Sequence, residues 1–502
     1  MLNKIKAIYS SNYIPFILAL AINFLLHLPF LTMPPEGVHV WRQCNTLSIA
    51  RNFHEEGMNI LEPKVDNRYN KSGVTGANFP AYEWGLAVSY KFFGEKFWVH
   101  RVYTMTIFFI GISGFFLLLL NLFNNYVIAN SGAIALLFFP DLFYFEILAL
   151  PDILSLSCTI WGFYFFIRWF KAYKKQENTF LLFITSALLL ALAGLVKLYF
   201  LLIGFAIAGI ILQEFRLLFS LKMILYIIGF AIISVGIPIA WYIYAVELIK
   251  KSGLADFGLE VRTETDIDLI IKTLAQNIIS DLPELILNFA NTIILLCGCY
   301  FFFKKKAYKK RFFIPALCLF IAIIMYHFME MKQMHYHSYY MMPYYPFLAC
   351  IVAYGANQLW VNKWGTILIL LIILNPLIAS IRILPSRWLN DNKAIPMELY
   401  NESTRTQLIQ AIPNNNLCIV GEDQSKCIDY YFLHKKGFGF THWQELLKKN
   451  RNQIRIERYI NQGAEYIYFS DKGLNPEDTP LKHYLGKLII KVGDIYVYQL
   501  KR

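Results

Sequence analysis

The feature that most constrains this chain is its series of apolar runs, each long enough, or nearly so, to cross a bilayer. At ~1.5 Å of rise per helical residue, roughly 20 apolar residues span the hydrocarbon core. The first run is Ile14 to Met33. Further runs fall at 102–123, 126–140, 149–167, 179–196, 198–213, 223–247, 283–303, 312–329, 339–358 and 364–384. The reading is about eleven spans in an α-helical polytopic membrane protein. Hydrophobic residues make up 57% of the 502, against 16% charged, which excludes a large soluble core as the main architecture. Lys4 and Lys6 precede the first run like the start of a signal peptide. The run is too long and lacks a small-residue cleavage site, so an uncleaved first span is expected.

The formal charge of +13 would suit a nucleic-acid binder, but its distribution argues for topology instead. Arg168, Lys171, Lys174 and Lys175 cluster at one span end, Arg216 and Lys222 at another, and Lys304 to Arg311 and Lys363 at later ones. With the N-terminus inside, every dense basic cluster falls on the inner side. Nucleic acid is therefore excluded as a partner, and membrane lipids are expected. The same count sends the first loop (34–101), the turn at 140–152, the loop at 248–282 and the turn at 329–338 to the outer face.

The domains expected are a transmembrane domain, 1–384, carrying that first loop, and an extracytoplasmic α/β domain, 385–502. The tail is more polar, with strand-like runs at Leu417–Val420, Tyr466–Phe469 and Leu488–Leu500, the last broken at Gly493-Asp494. Helical runs are expected at Ile428–His434 and Trp443–Lys449. The eight cysteines show no metal-ligand spacing. Cys418 and Cys427, in the polar tail, leave a disulfide open.

The densest chemistry lies between the first two spans. The stretch Glu36-Gly37-Val38-His39-Val40-Trp41-Arg42-Gln43 leads into Ile49-Ala50-Arg51-Asn52 at helical spacing, and Phe79-Pro80 opens a second helical segment through Tyr82-Glu83-Trp84. Asp66 lies between them. Beyond the loop, Asp152 follows Pro151 at a span entrance, and Lys197 interrupts two apolar runs. His337, Tyr339 and Tyr340 crowd another entrance before Pro343. An aromatic belt explains tyrosines at an interface but not paired histidines.

These motifs resemble the GT-C membrane glycosyltransferases, specifically the bacterial relatives of protein O-mannosyltransferases and of lipid A aminoarabinose transferases. The resemblance rests on His39-Val40-Trp41-Arg42-Gln43 with Ile49–Asn52, on Phe79-Pro80 before Tyr82-Glu83-Trp84, and on Pro151-Asp152. Lys197 between spans and His337-Ser338-Tyr339-Tyr340 before Pro343 extend it over residues 10–385. It implies a sugar donor on a polyprenyl phosphate and transfer on the outer face of the cytoplasmic membrane to a lipid, glycan or protein acceptor. It also implies an acidic first-loop residue as base or metal ligand. Here the chain departs from the pattern, with His39 and Val40 where relatives carry acids. Catalytic candidates are then His39, Asp66, Glu83 and Asp152. Substrate-binding candidates are Arg42, Gln43, Arg101, Lys197, His337, Tyr339 and Tyr340. A divalent cation (Mg, Mn or Zn) on His39 and Asp152 is the cofactor the reading allows. A lipid-linked glycan polymerase or ligase, or a non-catalytic transporter or scaffold, are the alternative functions.

Overall fold

The computed structural model describes residues 2–69, 72–255, 263–309, 312–389, 395–450, 453–470 and 473–501. Part of the expected 248–282 loop, Lys310 and Arg311 of the basic cluster, and the 390–394 segment at the expected domain junction lie outside these. The chain forms two compact units. One comprises Met1–Leu31, Arg101–Ile243 and Leu259–Leu389. The other comprises Thr32–His100, Tyr244–Gly258 and Asn390–Arg502. The first loop thus clusters with the tail rather than with the spans that flank it in sequence.

The first unit is helical, and each expected apolar run contains a helix. Among the described residues, four helices are long and apolar enough to cross a membrane: Phe97–Phe123, Asp152–Lys174, Leu221–Ser252 and Gly365–Trp388. Two bent pairs raise the number to six if each is one span: Lys4–Ser11 with Ile14–Phe30, bent by 95°, and Ile267–Ile286 with Phe289–Lys304, bent by 116°. The expected eleven crossings are therefore not matched by length. The reasons are local. Pro140 lacks the N–H a continuing helix needs, so the 126–140 run stops as a 12-residue helix at Leu137 and restarts as Pro140–Phe145. Asn288, at φ 63°, breaks the 283–303 run, and its side chain caps the helix that follows by accepting from the Asn291 N–H.

Helices in this unit pack closely where side chains vanish. Phe289–Lys304 and Tyr345–Val361 lie against each other, with Gly298 facing Gly355. A Cβ on Gly298 would lie 2.8 Å from the Ile351 carbonyl, so only glycine permits this approach. One polar group inside the bundle joins two helices: Asn375 Oδ1 accepts from Asn288 at 2.8 Å and from Asn291 at 2.7 Å.

In the second unit, the first loop forms the helices Val40–Glu56 and Ala81–Phe93, as its spacing predicts. Among the described residues the tail holds seven strands: β1 Leu417–Gly421, β2 Lys436–Gly439, β3 Lys449–Asn450, β4 Gln453–Ile454, β5 Ala464–Phe469, β6 Leu485–Val492 and β7 Ile495–Leu500. Five form one sheet in the order β2-β1-β5-β7-β6, parallel through β2-β1-β5 and antiparallel thereafter. β1 reads Leu-Cys-Ile-Val because it is central, with its apolar side chains buried. β6 and β7 close as a two-residue hairpin with Gly493 at φ 57°, a conformation that suits glycine. The expected Trp443–Lys449 helix shortens to Gln444–Leu447, because Lys449 pairs as a strand with Ile454. Ile419, Phe438, Phe440, Ile467, Phe469 and Tyr498 form the core. Cys418 and Cys427 are both free thiols, the former facing the Asn416 carbonyl and the latter Asn45 and Ser425, so the open disulfide is not formed between them.

Candidate functional site

Within the first unit, Asp152 opens the helix Asp152–Lys174 behind Pro151, a residue suited to a helix start, and is fully buried. The Tyr199 hydroxyl donates to Asp152 Oδ1. Lys197 Nζ lies 3.9 Å from Oδ2 and 5.9 Å from the Tyr199 ring centroid. Lys197 can reach the carboxylate because the chain is extended there (φ −150°, ψ 108°), between the helix Phe180–Val196 and the short turn Leu198–Leu202. A lysine in a continuous helix would follow the helix face instead.

The tyrosine–histidine motif joins this pair through ring contacts. The Tyr199 ring lies 5.3 Å from that of Tyr340, and Tyr340 lies 5.1 Å from Tyr339 and 6.1 Å from His337. The Tyr326 hydroxyl donates to the Tyr340 carbonyl at 3.1 Å. Asp141 anchors the other end of the motif. It accepts from Ser338 Oγ at 2.9 Å and from the Tyr345 hydroxyl at 2.6 Å. Burial pushes the Asp141 carboxyl up to about 6, against those two hydrogen bonds and the Arg387 charge. Asp152, Lys197, His337, Tyr339 and Tyr340, five residues expected from sequence, are thus brought into one connected cluster. Ser338 belongs to the same sequence motif, and Tyr199 and Tyr326 complete the cluster without having been singled out. Tyr199 carried a signal only in standing two residues past the lysine that interrupts an apolar run.

Arg101, expected to bind phosphate, is buried in the same unit within electrostatic reach of His27. His27 Nδ1 stands 3.2 Å from Glu146 Oε1, both fully buried.

The remaining candidates belong to the second unit. His39 adopts φ 63°, ψ 30° as the residue before the helix Val40–Glu56. Its carbonyl accepts from the N–H groups of Arg42 and Gln43, starting the helix, while its half-buried imidazole is not used as a cap. Gln43 Nε2 donates to the Glu36 carbonyl at 2.9 Å. Arg42 and Glu83 are both buried, the latter in the first turn of Ala81–Phe93, where a carboxylate favours the helix dipole. Asp66 is engaged on both oxygens: Ser48 Oγ donates at 2.7 Å and Asn52 Nδ2 at 3.0 Å, from two residues four apart on one helix. These bonds brace the loop against the helix.

The metal reading fares poorly at its expected ligands. The groups that contact Asp152 are a phenol and an ammonium, neither of which adds an imidazole or a carboxylate to a cation site there. Among the described residues neither His39 nor Asp152 belongs to a trio of metal-capable side chains; that trio is Glu55, Glu95 and His434.

No family model matches the chain, and no curated protein matches it. Its fold is similar to that of ArnT from Cupriavidus metallidurans bound to undecaprenyl phosphate. The two are 14% identical over 96% of this chain and 97% of that one, with a TM-score of 0.63. It is also similar to the Archaeoglobus fulgidus oligosaccharyltransferase in complex with Zn and sulfate, 11% identical over 93% of this chain and 69% of the other, TM-score 0.55. A third likeness is to the archaeal oligosaccharyltransferase AglB from Archaeoglobus fulgidus with an inhibitory peptide and a dolichol-phosphate, 11% identical over 93% and 70%, TM-score 0.53. The chain shares the fold of these neighbours.

Proposed function

We propose that a chain with this GT-C fold is a glycosyltransferase, moving a sugar from a polyprenyl-phosphate donor to a lipid, glycan or protein acceptor on the outer face of the cytoplasmic membrane. The observation that carries the reading is the buried Asp152–Tyr199–Lys197 group beside the histidine–tyrosine motif. A multi-pass chain of about eleven helical segments with its basic clusters inside would place that group toward the outer face.

Transfer breaks the bond between the anomeric carbon and the phosphate oxygen and forms one to the acceptor oxygen, through a transition state of oxocarbenium character. The departing phosphate gains charge, which a lysine ammonium held at low solvent exposure stabilises as a point charge. Lys197 is assigned that role, with Arg101 and His337 as further phosphate-binding candidates. The acceptor must lose a proton, and Asp152, His39 and Glu83 are the candidate bases. Arg42, Gln43, Tyr339 and Tyr340 are assigned to sugar or phosphate hydroxyl and oxygen contacts. Asp66, with both oxygens already bonded, is left to hold the loop. The donor is expected to be lipid-linked, because the sequence has no glycine-rich phosphate loop, and in the Asp-x-Asp run Asp266-Ile267-Asp268 the Asp266 carboxylate caps the helix Ile267–Ala275, accepting from the Asp268 and Leu269 N–H groups.

The test offers purified full-length protein in detergent a polyprenyl-phosphate sugar, or the matching nucleotide sugar, with a crude lipid acceptor. Transfer from the lipid-linked donor is expected, weakened more by Lys197→Met than by Lys197→Arg, since arginine keeps the charge. Transfer from the nucleotide sugar alone, with no lipid-linked intermediate, would overturn the reading.

A further inference from the structure

The second unit holds a group of side chains that neither the fold likeness nor the proposed reaction uses. Glu55 stands in the last turn of the helix Val40–Glu56, Glu95 lies two residues past the helix Ala81–Phe93, and His434 follows the helix Ile428–Leu433. Three separate segments thus bring one ligand atom each to within 4.8 Å of the others. His434 reaches the site because it ends its helix in the left-handed conformation, φ 52°, ψ 44°. This turns its ring off the helix and brings Nε2 to 2.6 Å from Glu55 Oε1.

From this placement we infer that Glu55, Glu95 and His434 form a zinc site that staples the first loop to the C-terminal domain. Zinc takes imidazole nitrogen and carboxylate oxygen at about 2.0–2.2 Å in a tetrahedron, which sets ligand atoms roughly 3.3–3.5 Å apart. Opening the His434–Glu55 contact by under about 1 Å reaches that spacing.

The cations nearby do not block the arrangement. Lys436 Nζ binds Glu55 Oε2 at 2.9 Å and is shared with Glu56 at 2.7 Å. Arg51 Nε binds Glu95 Oε1 at 2.9 Å. A carboxylate has two oxygens, so each contact leaves the second oxygen for the metal and orients it, as outer-shell partners of metal ligands do. Glu55 and His434 also line a pocket of about 340 Å³, from which a water can supply the fourth ligand. With Lys436 and Arg51 close by, affinity should be micromolar rather than the far tighter binding of a structural cysteine site.

The experiment titrates the full-length protein in detergent with zinc chloride by calorimetry, and repeats it with Co²⁺, whose visible absorption reports four-coordination. One saturable site per chain is expected, weakening as pH falls because the ligands must be deprotonated. His434→Ala and Glu95→Gln should each weaken binding at least tenfold. Zinc should raise the melting temperature of the wild type and of neither variant. Glu95→Gln is the sharper variant, because Glu95 lies outside the His434–Glu55 ion pair. His442→Ala, at an exposed histidine elsewhere in the same unit, should bind as the wild type does. No saturable binding, or equal affinity in all four proteins, would overturn the proposal. The readouts are independent of glycosyl transfer, so failure here leaves the proposed function standing, and failure of transfer leaves this site standing.

Discussion

The two units handle buried charge differently. In the helical unit charged groups are few, and Asp141 and Asp152 each have hydrogen-bond donors committed to them: Ser338 and Tyr345 for the first, Tyr199 for the second. In the unit of the first loop and tail, charges are shared. Lys436 binds Glu55 and Glu56, and Glu56 also binds Lys64 and Arg68. A charge in an apolar surrounding is tolerated only with a dedicated partner, and removing either member leaves the other stranded. A shared network loses one link and keeps the rest. Single substitutions should therefore be severe in the helical unit and graded in the other.

The largest effect is expected at Asp152. Asp152→Asn keeps the size and the Tyr199 contact but removes the charge that faces Lys197. A rate loss on the order of 10²–10⁴ is expected, with the protein still monodisperse in detergent. Asp66→Asn should instead lower stability more than rate, because the two Asp66 carboxylate oxygens accept from Ser48 and Asn52 and so brace the loop. Transfer rates beside melting curves for both variants decide it; equal rate losses would dissolve the contrast.

Asp429, like Asp66, stands outside the shared network of its unit, and so sharpens the comparison. It is buried, with Ser470 Oγ donating at 3.1 Å, and burial, reinforced by the Asp423 charge, pushes its carboxyl up to about 8. A raised acid binds its proton more tightly in the folded state than the unfolded one. Its contribution is therefore complete below about pH 4 and is lost as pH rises toward about 8. Asp429→Asn should remove this loss, stabilising the protein above pH 8 by up to roughly 5 kcal/mol and leaving it little changed at pH 4. Melting temperatures of both proteins across pH 4–9 would show the difference; parallel curves would place the Asp429 proton elsewhere.

Within the helical unit, packing should show a smaller contrast, between a close backbone approach and an open helix face. A Cβ on Gly355 would meet the Gly298 N at 2.9 Å and its Cα at 3.1 Å, backbone atoms that cannot rotate away. Gly355→Ala is expected to cost about 1–3 kcal/mol. Gly229→Ala, whose nearest obstacle is the Phe183 ring edge at 3.8 Å, should be neutral or stabilising, since alanine favours the helix. Thermal stability in one detergent compares them, and a neutral Gly355→Ala would mean the two helices can separate.

The elements that sequence made legible are those with local signals. Apolar runs marked the helices, Gly493-Asp494 marked the β6–β7 hairpin, and Trp41 to Asn52 marked the first-loop helix. What stayed hidden is non-local. Arg51 donates to the Tyr431 carbonyl at 3.0 Å, linking residues 380 apart in the chain, and no periodicity announces that the first loop belongs with the tail. Tyr199 sits in an apolar stretch where a tyrosine reads as an interfacial residue. Its bond to Asp152 depends on the extended backbone at Lys197. His434 was read only as the end of a helix, yet its left-handed conformation sets its role.

The smallest effect is expected where a charge pair is neither dedicated nor networked. Lys174 and Glu214 meet at 2.6 Å, with side-chain exposures of 36% and 28%, at the ends of the helices Asp152–Lys174 and Ile203–Gln213. Water already solvates both groups well, and holding two long side chains together costs entropy, so Lys174→Ala should cost about 0.5 kcal/mol or less. Lys436→Ala, with exposure of 18% and two carboxylates to release, should cost more, on the order of 1 kcal/mol, because Glu55 and Glu56 would then repel each other. Salt separates the two cases. Raising ionic strength from 0.01 to 1 M shortens the screening length from about 30 Å to about 3 Å. That should erase the Lys174 effect and leave part of the Lys436 effect, since a half-buried pair is screened less. If both vanish alike, the network in the second unit is no more protected than an ordinary surface pair.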